Sequence, residues 1–279
     1  MTKSFYSVNI YIMKKISLSF VIPVYNEEKR LKKTFKALKE ANIPSELIVK
    51  EVIFVNDGSR DDTKKIIEKN IQRLSSYTGA KVSLINVTLN RGKGHAVKVG
   101  MLEAKSDYTL FFDADMATPL SEMNKFVPYF LNKTEVIVGT RKNGHSTVVV
   151  RQPRHREILG QGFTYLTKIL LNTWVTDFTC GFKAFSKSAK NKIFTQSLVS
   201  RWGYDAEILF LAKNLNLECK EVPVAWSDDR NSKVKVLRSI YTTLKDLLFI
   251  KKNQLTGVYK FGNSSKYTDK LQLLLSRVV

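Results

Sequence analysis

The sequence predicts an α/β fold, a mostly parallel sheet with helices on both faces. Three observations predict it. Short apolar runs alternate with stretches of helical periodicity through the first half of the chain. Turn and capping residues mark each change of type. The residues able to carry chemistry fall just after the apolar runs, where parallel sheets place their ligands. Strand–helix–strand repetition implies right-handed crossovers between neighbouring strands.

The elements follow in order. Ile16–Val24 (ISLSFVIPV) is the first strand, and Asn26–Ala41 places Leu31, Phe35 and Leu38 at helical spacing. Lys50–Asn56 is the second strand. Asp57-Gly58-Ser59 turns the chain, and Asp61 or Asp62 is placed to cap a helix reaching about Leu74. Val82–Leu89 is a third strand, followed by a glycine-punctuated turn and a helix around His95–Ala104. Tyr108–Asp113 is a fourth strand, Ser121 is placed to cap a helix to about Leu131, and Glu135–Gly139 is a fifth strand. Asn143–Arg156 reads as a polar loop and Glu157–Asn172 as a helix. Asp177–Phe185 and Ser200–Leu211 read as mixed α/β structure, and Leu217–Trp226 as a late strand. From Val236 to Ile250 apolar residues recur every three or four positions beside Arg238, Lys245, Lys251 and Lys252. That pattern makes an amphipathic helical extension, either packed on the domain or laid on a membrane surface. Gly262–Thr268 reads as a polar linker and Leu271–Leu275 as a short terminal helix. The expected division is an α/β domain over 1–235 and an amphipathic helical tail over 236–279.

Composition bounds the function. Of 279 residues, 43% are hydrophobic and 25% charged, which excludes collagen-like and disordered classes. Forty-six Lys and Arg against 25 Asp and Glu give a formal charge of +21. The partner implied is a polyanion: nucleic acid, an anionic membrane or a phosphorylated substrate. Cys180 and Cys219 form no CxxC, which excludes disulfide scaffolds and zinc ribbons and fits a reducing compartment. Residues 1–15 lack the pattern of a signal peptide, and no run approaches the ~18 apolar residues of a spanning helix. His95, His145 and His155 form no metal-binding spacing, and there is no GxSxG.

Four segments could carry chemistry. Asp113-Ala114-Asp115 ends a strand, where a turning chain can bring both carboxylates onto one divalent cation and a diphosphate. The plainer alternative is a solvated acidic turn. Val55-Asn56-Asp57-Gly58-Ser59 is either an ordinary aspartate turn or a carboxylate set to accept from a nucleobase. Asn90-Arg91-Gly92-Lys93-Gly94 offers close main-chain approach, two cations and a helix start whose amides could bind an anion, but it is neither a Walker sequence nor GxGxxG. Arg141, Arg151, Arg154 and Arg156 could gather on a second anion or form a solvated basic loop.

Together these segments resemble one family. Phe20-Val21-Ile22-Pro23-Val24-Tyr25-Asn26-Glu27-Glu28, then the Asp57, Lys93 and Asp113-Ala114-Asp115 motifs in this order, are similar to family 2 glycosyltransferases of the GT-A fold. Asp115-Met116-Ala117-Thr118-Pro119, Gly139-Thr140-Arg141, Asp177-Phe178-Thr179-Cys180-Gly181-Phe182-Lys183-Ala184-Phe185, Trp202-Gly203-Tyr204-Asp205-Ala206-Glu207 and Val222-Pro223-Val224-Ala225-Trp226 narrow the resemblance to dolichyl-phosphate β-glucosyltransferases. It covers roughly Ile16 to Lys235. The resemblance implies an inverting, metal-dependent transfer of a hexose, glucose from UDP-glucose first, onto a polyprenyl phosphate. It implies that Pro23, Tyr25, Glu27 and Asp57 line the nucleoside pocket, with Lys93 near the donor. Asp113 and Asp115 would hold Mg²⁺ or Mn²⁺, and Arg141, Arg151 and Arg154 the acceptor phosphate. Asp177, Asp205 and Glu207 would shape the sugar end, Lys233 would lie on a segment closing over the donor, and Asp115, Arg141 and Asp205 would carry catalysis. Met116 stands where the family pattern has Gly, and Thr140 where Ser is commoner. Lacking a spanning segment, the protein is expected at the cytoplasmic side of a membrane, peripheral, on an anionic surface. A sugar-hydroxyl acceptor is the competing reading, with Asp205 or Glu207 as base. The charge alone would allow a nucleic-acid binder, but no such motif is present, so no nucleic-acid partner is expected.

Overall fold

The computed structural model describes residues 14–142, 148–150, 154–173, 175–227 and 236–261. Along the first half run β1 (Ile16–Val24), α1 (Leu31–Lys39), β2 (Leu47–Asp57), α2 (Thr63–Thr78), β3 (Lys81–Val87), α3 (Lys93–Glu103) and β4 (Tyr108–Phe112). A 3₁₀ segment (Leu120–Phe126), α4 (Val127–Leu131), β5 (Val136–Thr140), β6 (Val148–Val150) and α5 (Arg154–Leu171) follow. Then come β7 (Phe182–Ser186), α6 (Lys187–Phe194), α7 (Tyr204–Asn214), β8 (Cys219–Pro223), β9 (Trp226–Ser227) and α8 (Val236–Leu255).

Seven strands form one sheet in the order β3-β2-β1-β4-β7-β5-β8. All pair in parallel except β7, which runs antiparallel between β4 and β5. Alternation along the strands builds a core on each face. Phe20, Phe54, Phe112 and Phe182 pack under α1, α2 and α4. Val21, Val55, Phe111 and Phe185 pack under α3, α6, α7 and α8. The expected parallel α/β sheet and the helical extension are both present.

Two features of this topology make the site. The chain lays β2 and β3 on one side of β1, then crosses to β4 on the other, so the order reverses between β1 and β4. A crevice opens at the carboxyl ends there. Pro23 fits this edge, because the β1–β4 ladder ends at Val21 and Pro23 is not needed as a donor to β4. The reversed direction of β7 brings the segment before it, 177–181, to the same edge. Phe112 pairs with Phe182, so Asp113 meets Gly181.

Some elements differ from the sequence reading. Ser121 caps nothing; Pro119 begins a 3₁₀ segment, and α4 starts afresh with Pro128 in its first turn, where its missing N–H costs nothing. Neither Asp61 nor Asp62 takes the side-chain cap of α2 from the N-cap position, although Asp61 Oδ1 accepts from the Thr63 amide at 3.0 Å. The expected loop 143–156 holds β6 and the start of α5. The late strand breaks after Pro223, and β9 leaves the main sheet to pair with β6. The terminal elements expected over 262–279 lie outside the described residues.

α8 packs one face on α5 and α7. Leu247 and Ile250 are wholly buried there, whereas Leu248 is 62% exposed. Leu247→Ala is therefore expected to cost about 2–5 kcal/mol, and Leu248→Ala within about 0.5 kcal/mol of nothing. Denaturant titration of the two variants checks which face is packed; equal losses would contradict it.

Candidate active site

The loops after β1, β2 and β3 are tied by short polar side chains. The Asn26 amide donates to Ser59 Oγ at 2.9 Å, the Arg60 amide to Asn26 Oδ1 at 2.8 Å, and the Glu27 amide to Thr63 Oγ1 at 2.8 Å. Asn56 Nδ2 donates to Asn86 Oδ1 at 2.6 Å. Asn26 takes φ 53°, a left-handed conformation that Asn tolerates. Tyr25 stands beside this tie, 41% exposed, and the Glu27 carboxylate pairs with Arg30 at 3.2 Å.

Asp57 is buried at the end of β2. Its carboxylate accepts from Asn90 Nδ2 at 2.8 Å, the Arg91 amide at 3.0 Å and the Gly92 amide at 2.7 Å. The His95 amide donates to the Ser200 carbonyl at 3.0 Å. The Arg91, Gly92 and His95 amides are thus engaged within the protein, which takes these three out of the expected anion contact. Asp57 fixes the 90–94 turn and so aims Lys93.

Lys93 Nζ lies 2.5 Å from Asp113 Oδ1. Burial works against the Lys93 ammonium, but Asp113 and Asp205 outweigh it and hold the amine above its usual range. Two residues on, burial and the neighbouring Asp113 charge push the Asp115 carboxyl up, against the Ala117 amide that donates to it at 3.0 Å. Thr34 Oγ1 and Lys33 Nζ bind the carbonyls of Ala114 and Asp115 at 2.6 and 2.7 Å, so α1 fixes the turn. Met116 has φ 53°. That is the left-handed region Gly enters freely, which explains the family's Gly there. Gly181 backs Asp113 so closely that a Cβ would overlap its carboxylate.

Across a small open cleft, Arg141 makes a bidentate pair with buried Asp177, Nε to Oδ2 at 2.7 Å and Nη2 to Oδ1 at 2.8 Å. Nη2 also donates to Thr179 Oγ1 at 2.7 Å, and the Trp226 ring lies 5.1 Å from the guanidinium carbon. Burial alone would raise the Asp177 carboxyl, but Arg141 holds it well below the usual carboxylate range. The cleft is lined by Asp113, Ala117, Thr118, Arg141, Thr179, Gly181 and Trp226.

Asp205, in the first turn of α7, accepts from Lys183 Nζ at 2.5 Å. The same ammonium donates to the carbonyls of Phe178 and Cys180 at 2.8 and 2.7 Å, so its three protons have three acceptors. Burial lifts the Asp205 carboxyl, with Lys183 and Lys93 opposing. Glu207 is turned away, accepting from the Leu198 and Val199 amides and the Tyr259 hydroxyl.

The structure thus brings Lys93, Asp113, Asp115, Arg141, Asp177 and Asp205 together, with Pro23, Tyr25, Glu27 and Asp57 along the crevice. Glu207 stands behind the site as a brace. Arg151, Lys233 and the side chain of Arg154 lie outside the described residues. The sequence reading assigned no role to Lys183, Thr179, Trp202 or Trp226; Lys183 carries a signal, a lone lysine inside an aromatic strand (FKAF).

The model of glycosyl transferase family 2 matches residues 19–194. The chain belongs to this family. It is 32% identical over 259 residues to a dolichyl-phosphate β-glucosyltransferase of Homo sapiens, covering 89% of this chain and 79% of that protein. It is 34% identical over 255 residues to one from Dictyostelium discoideum, covering 88% and 77%. Among solved structures, glucosyl-3-phosphoglycerate synthase from Mycobacterium tuberculosis in complex with UDP superposes with TM-score 0.59 at 18% identity, over 85% of this chain and 80% of that one. The same protein with Mn²⁺, UDP-glucose and phosphoglyceric acid superposes with TM-score 0.58 at 17% identity, over the same shares. The expected GT-A fold and the resemblance to dolichyl-phosphate β-glucosyltransferases are borne out.

Two predictions follow from the geometry. Gly181→Ala must displace the Asp113 carboxylate, so UDP affinity measured by calorimetry with Mn²⁺ should fall about tenfold or more; unchanged affinity would contradict the packing. The lowered Asp177 pKa gives stability that is full above its unfolded value of ~3.9 and is lost as pH falls through the folded value. The stability gap between wild type and Asp177→Asn should therefore narrow on acidification below about pH 4. A gap constant from pH 6 to 3 would contradict the ion pair.

Proposed function

We propose that this glycosyltransferase moves glucose from UDP-glucose onto the phosphate of a polyprenol, with inversion, to give a β-linked lipid-phosphate sugar. The observation that carries this reading is how the carboxylates around the cleft are engaged. Asp177 is locked to Arg141, Asp205 to Lys183, and Glu207 faces away. Of the two carboxylates considered as a base for a hydroxyl, Glu207 faces away and Asp205 is held by Lys183, so a hydroxyl acceptor would have to break that ion pair to be activated. A phosphate monoester needs no base, since its second pKa near ~6 leaves it largely dianionic at pH 7. The names of the relatives support glucose as the sugar and dolichyl phosphate as the acceptor.

Asp113 and Asp115 fit a hard cation: both are oxygen donors, and a cation would offset the burial and the Asp113 charge that together lift Asp115. Mg²⁺ or Mn²⁺ held there with diphosphate oxygens would supply charge stabilisation for the departing UDP. The protein's part is placement. An acceptor phosphate oxygen forms a bond to the sugar anomeric carbon from the face opposite the diphosphate, and the electron pair of the breaking bond leaves on UDP. Arg141 presents a pre-oriented guanidinium whose Nη1 is not engaged by Asp177 or Thr179. Lys93 adds positive charge on the donor side. No helix among the described residues is long and apolar enough to cross a membrane. The outward residues of α8, Leu248 and Phe249 with Lys245 and Lys252, support peripheral contact with an anionic headgroup layer.

The test is transfer of labelled sugar to a short-chain polyprenyl phosphate with Mg²⁺ or Mn²⁺, comparing UDP-glucose, GDP-mannose and UDP-N-acetylglucosamine. Lipid-soluble product from UDP-glucose is expected; product only from another donor corrects the sugar, and none from any donor overturns the reading. Asp115→Asn should abolish transfer. Arg141→Lys keeps the charge but loses the fork, and should raise KM for the lipid phosphate about tenfold with little change for UDP-glucose. An unchanged lipid KM would remove Arg141 from the acceptor side.

A further inference from the structure

The 196–204 connection runs past the donor side of the cleft and is held from two sides. On one side it packs on the start of α3: a Cβ on Gly92 would overlap the Ser200 carbonyl, and one on Gly94 the Val199 carbonyl and Tyr204. On this connection Trp202, 43% exposed, sets its ring 5.9 Å from Lys93 Nζ, the same ammonium that pairs with Asp113. On the other side the C-terminal segment holds it at three points. Asp246 Oδ2, in α8, accepts from the Gly203 amide at 3.0 Å, and Gly203 has no room for a Cβ because the Asp246 side chain fills that space. The Tyr259 hydroxyl donates at 2.7 Å to Glu207, whose carboxylate takes the Leu198 and Val199 amides. The Lys260 amide donates to Gln196 Oε1 at 2.6 Å.

We infer that Asp246 and Tyr259 are positioning residues of the donor site. They set the Trp202 turn against Lys93, so the C-terminal segment helps build the pocket for the nucleotide sugar. Neither residue touches the cleft; each acts through the connection. A carboxylate accepting a main-chain amide is a strong, directional bond, and its loss leaves the Gly203 N–H unpaired. This inference rests on the proposed reaction for its kinetic readout and on Trp202 itself for a second one.

The experiment compares wild type with Asp246→Ala, Asp246→Asn and Tyr259→Phe. KM and kcat are measured for UDP-glucose and for a short-chain polyprenyl phosphate, alongside the ¹⁹F spectrum of protein labelled with 5-fluorotryptophan. The Trp202 resonance is assigned with Trp202→Phe. Asp246→Ala should shift that resonance and raise KM for UDP-glucose about tenfold, with the lipid KM within about twofold of wild type. Asp246→Asn, whose amide oxygen still accepts, should restore most of the loss. Tyr259→Phe keeps its ring, serves if Asp246→Ala fails to fold, and should shift the same resonance. An unmoved Trp202 resonance in every folded variant would overturn the inference, as would equal rises in both KM values. If wild type transfers no sugar from any donor, the proposed reaction fails while the ¹⁹F spectrum still decides the bracing.

Discussion

Two carboxylates two residues apart, at the end of a strand with no exposed side chain, set the terms for everything around them. Asp113 and Asp115 repel each other and Asp115 is largely buried, so the fold supplies cations and rigid backing. Lys93 arrives from α3 and Thr34 and Lys33 from α1, while Gly181 gives the only kind of wall thin enough to let Asp113 lie flat against it. The reversal of β7 follows from the same demand. Only an antiparallel strand beside β4 brings the chain that precedes it to the carboxyl edge.

Around that centre, charge is handled in fixed pairs. Arg141–Asp177 and Lys183–Asp205 are both largely dry. Such pairs contribute little net stability, because desolvation offsets attraction. Their value is placement, since a bidentate or triply bonded cation cannot wander. Lys183 shows this best. One ammonium joins β7, the 177–181 segment and α7, and so fixes the segment whose Thr179 and Gly181 line the cleft. It lies 5.5 Å from the centre of the Phe111 ring, on the far side of β4 from the α1 core.

Much of this was legible in the sequence. The first five strands and the acidic strand end follow from periodicity and turn chemistry, which are local properties. What was not legible depends on partners distant in sequence. FKAFS reads as a strand, but nothing in it states its direction or its place between β4 and β5. Asp205 and Glu207 lie two apart and look equivalent on paper; the helix turns one toward Lys183 and the other toward Tyr259. The amides of Arg91 and Gly92 looked available to an anion because Asp57, more than thirty residues earlier, was not visibly their partner. The apolar stripe of α8 announced a covered face without saying what covers it. Leu247 and Ile250 lie against the domain, and Leu248 and Phe249 point outward.

The central claim is that the Asp113–Asp115 turn is shaped to hold a nucleoside diphosphate through a divalent cation. The most direct measurement is the affinity of wild-type protein for UDP by calorimetry, with Mn²⁺ and then with the metal chelated. The account predicts binding at least about tenfold tighter with Mn²⁺. Equal affinity in the two conditions would contradict it.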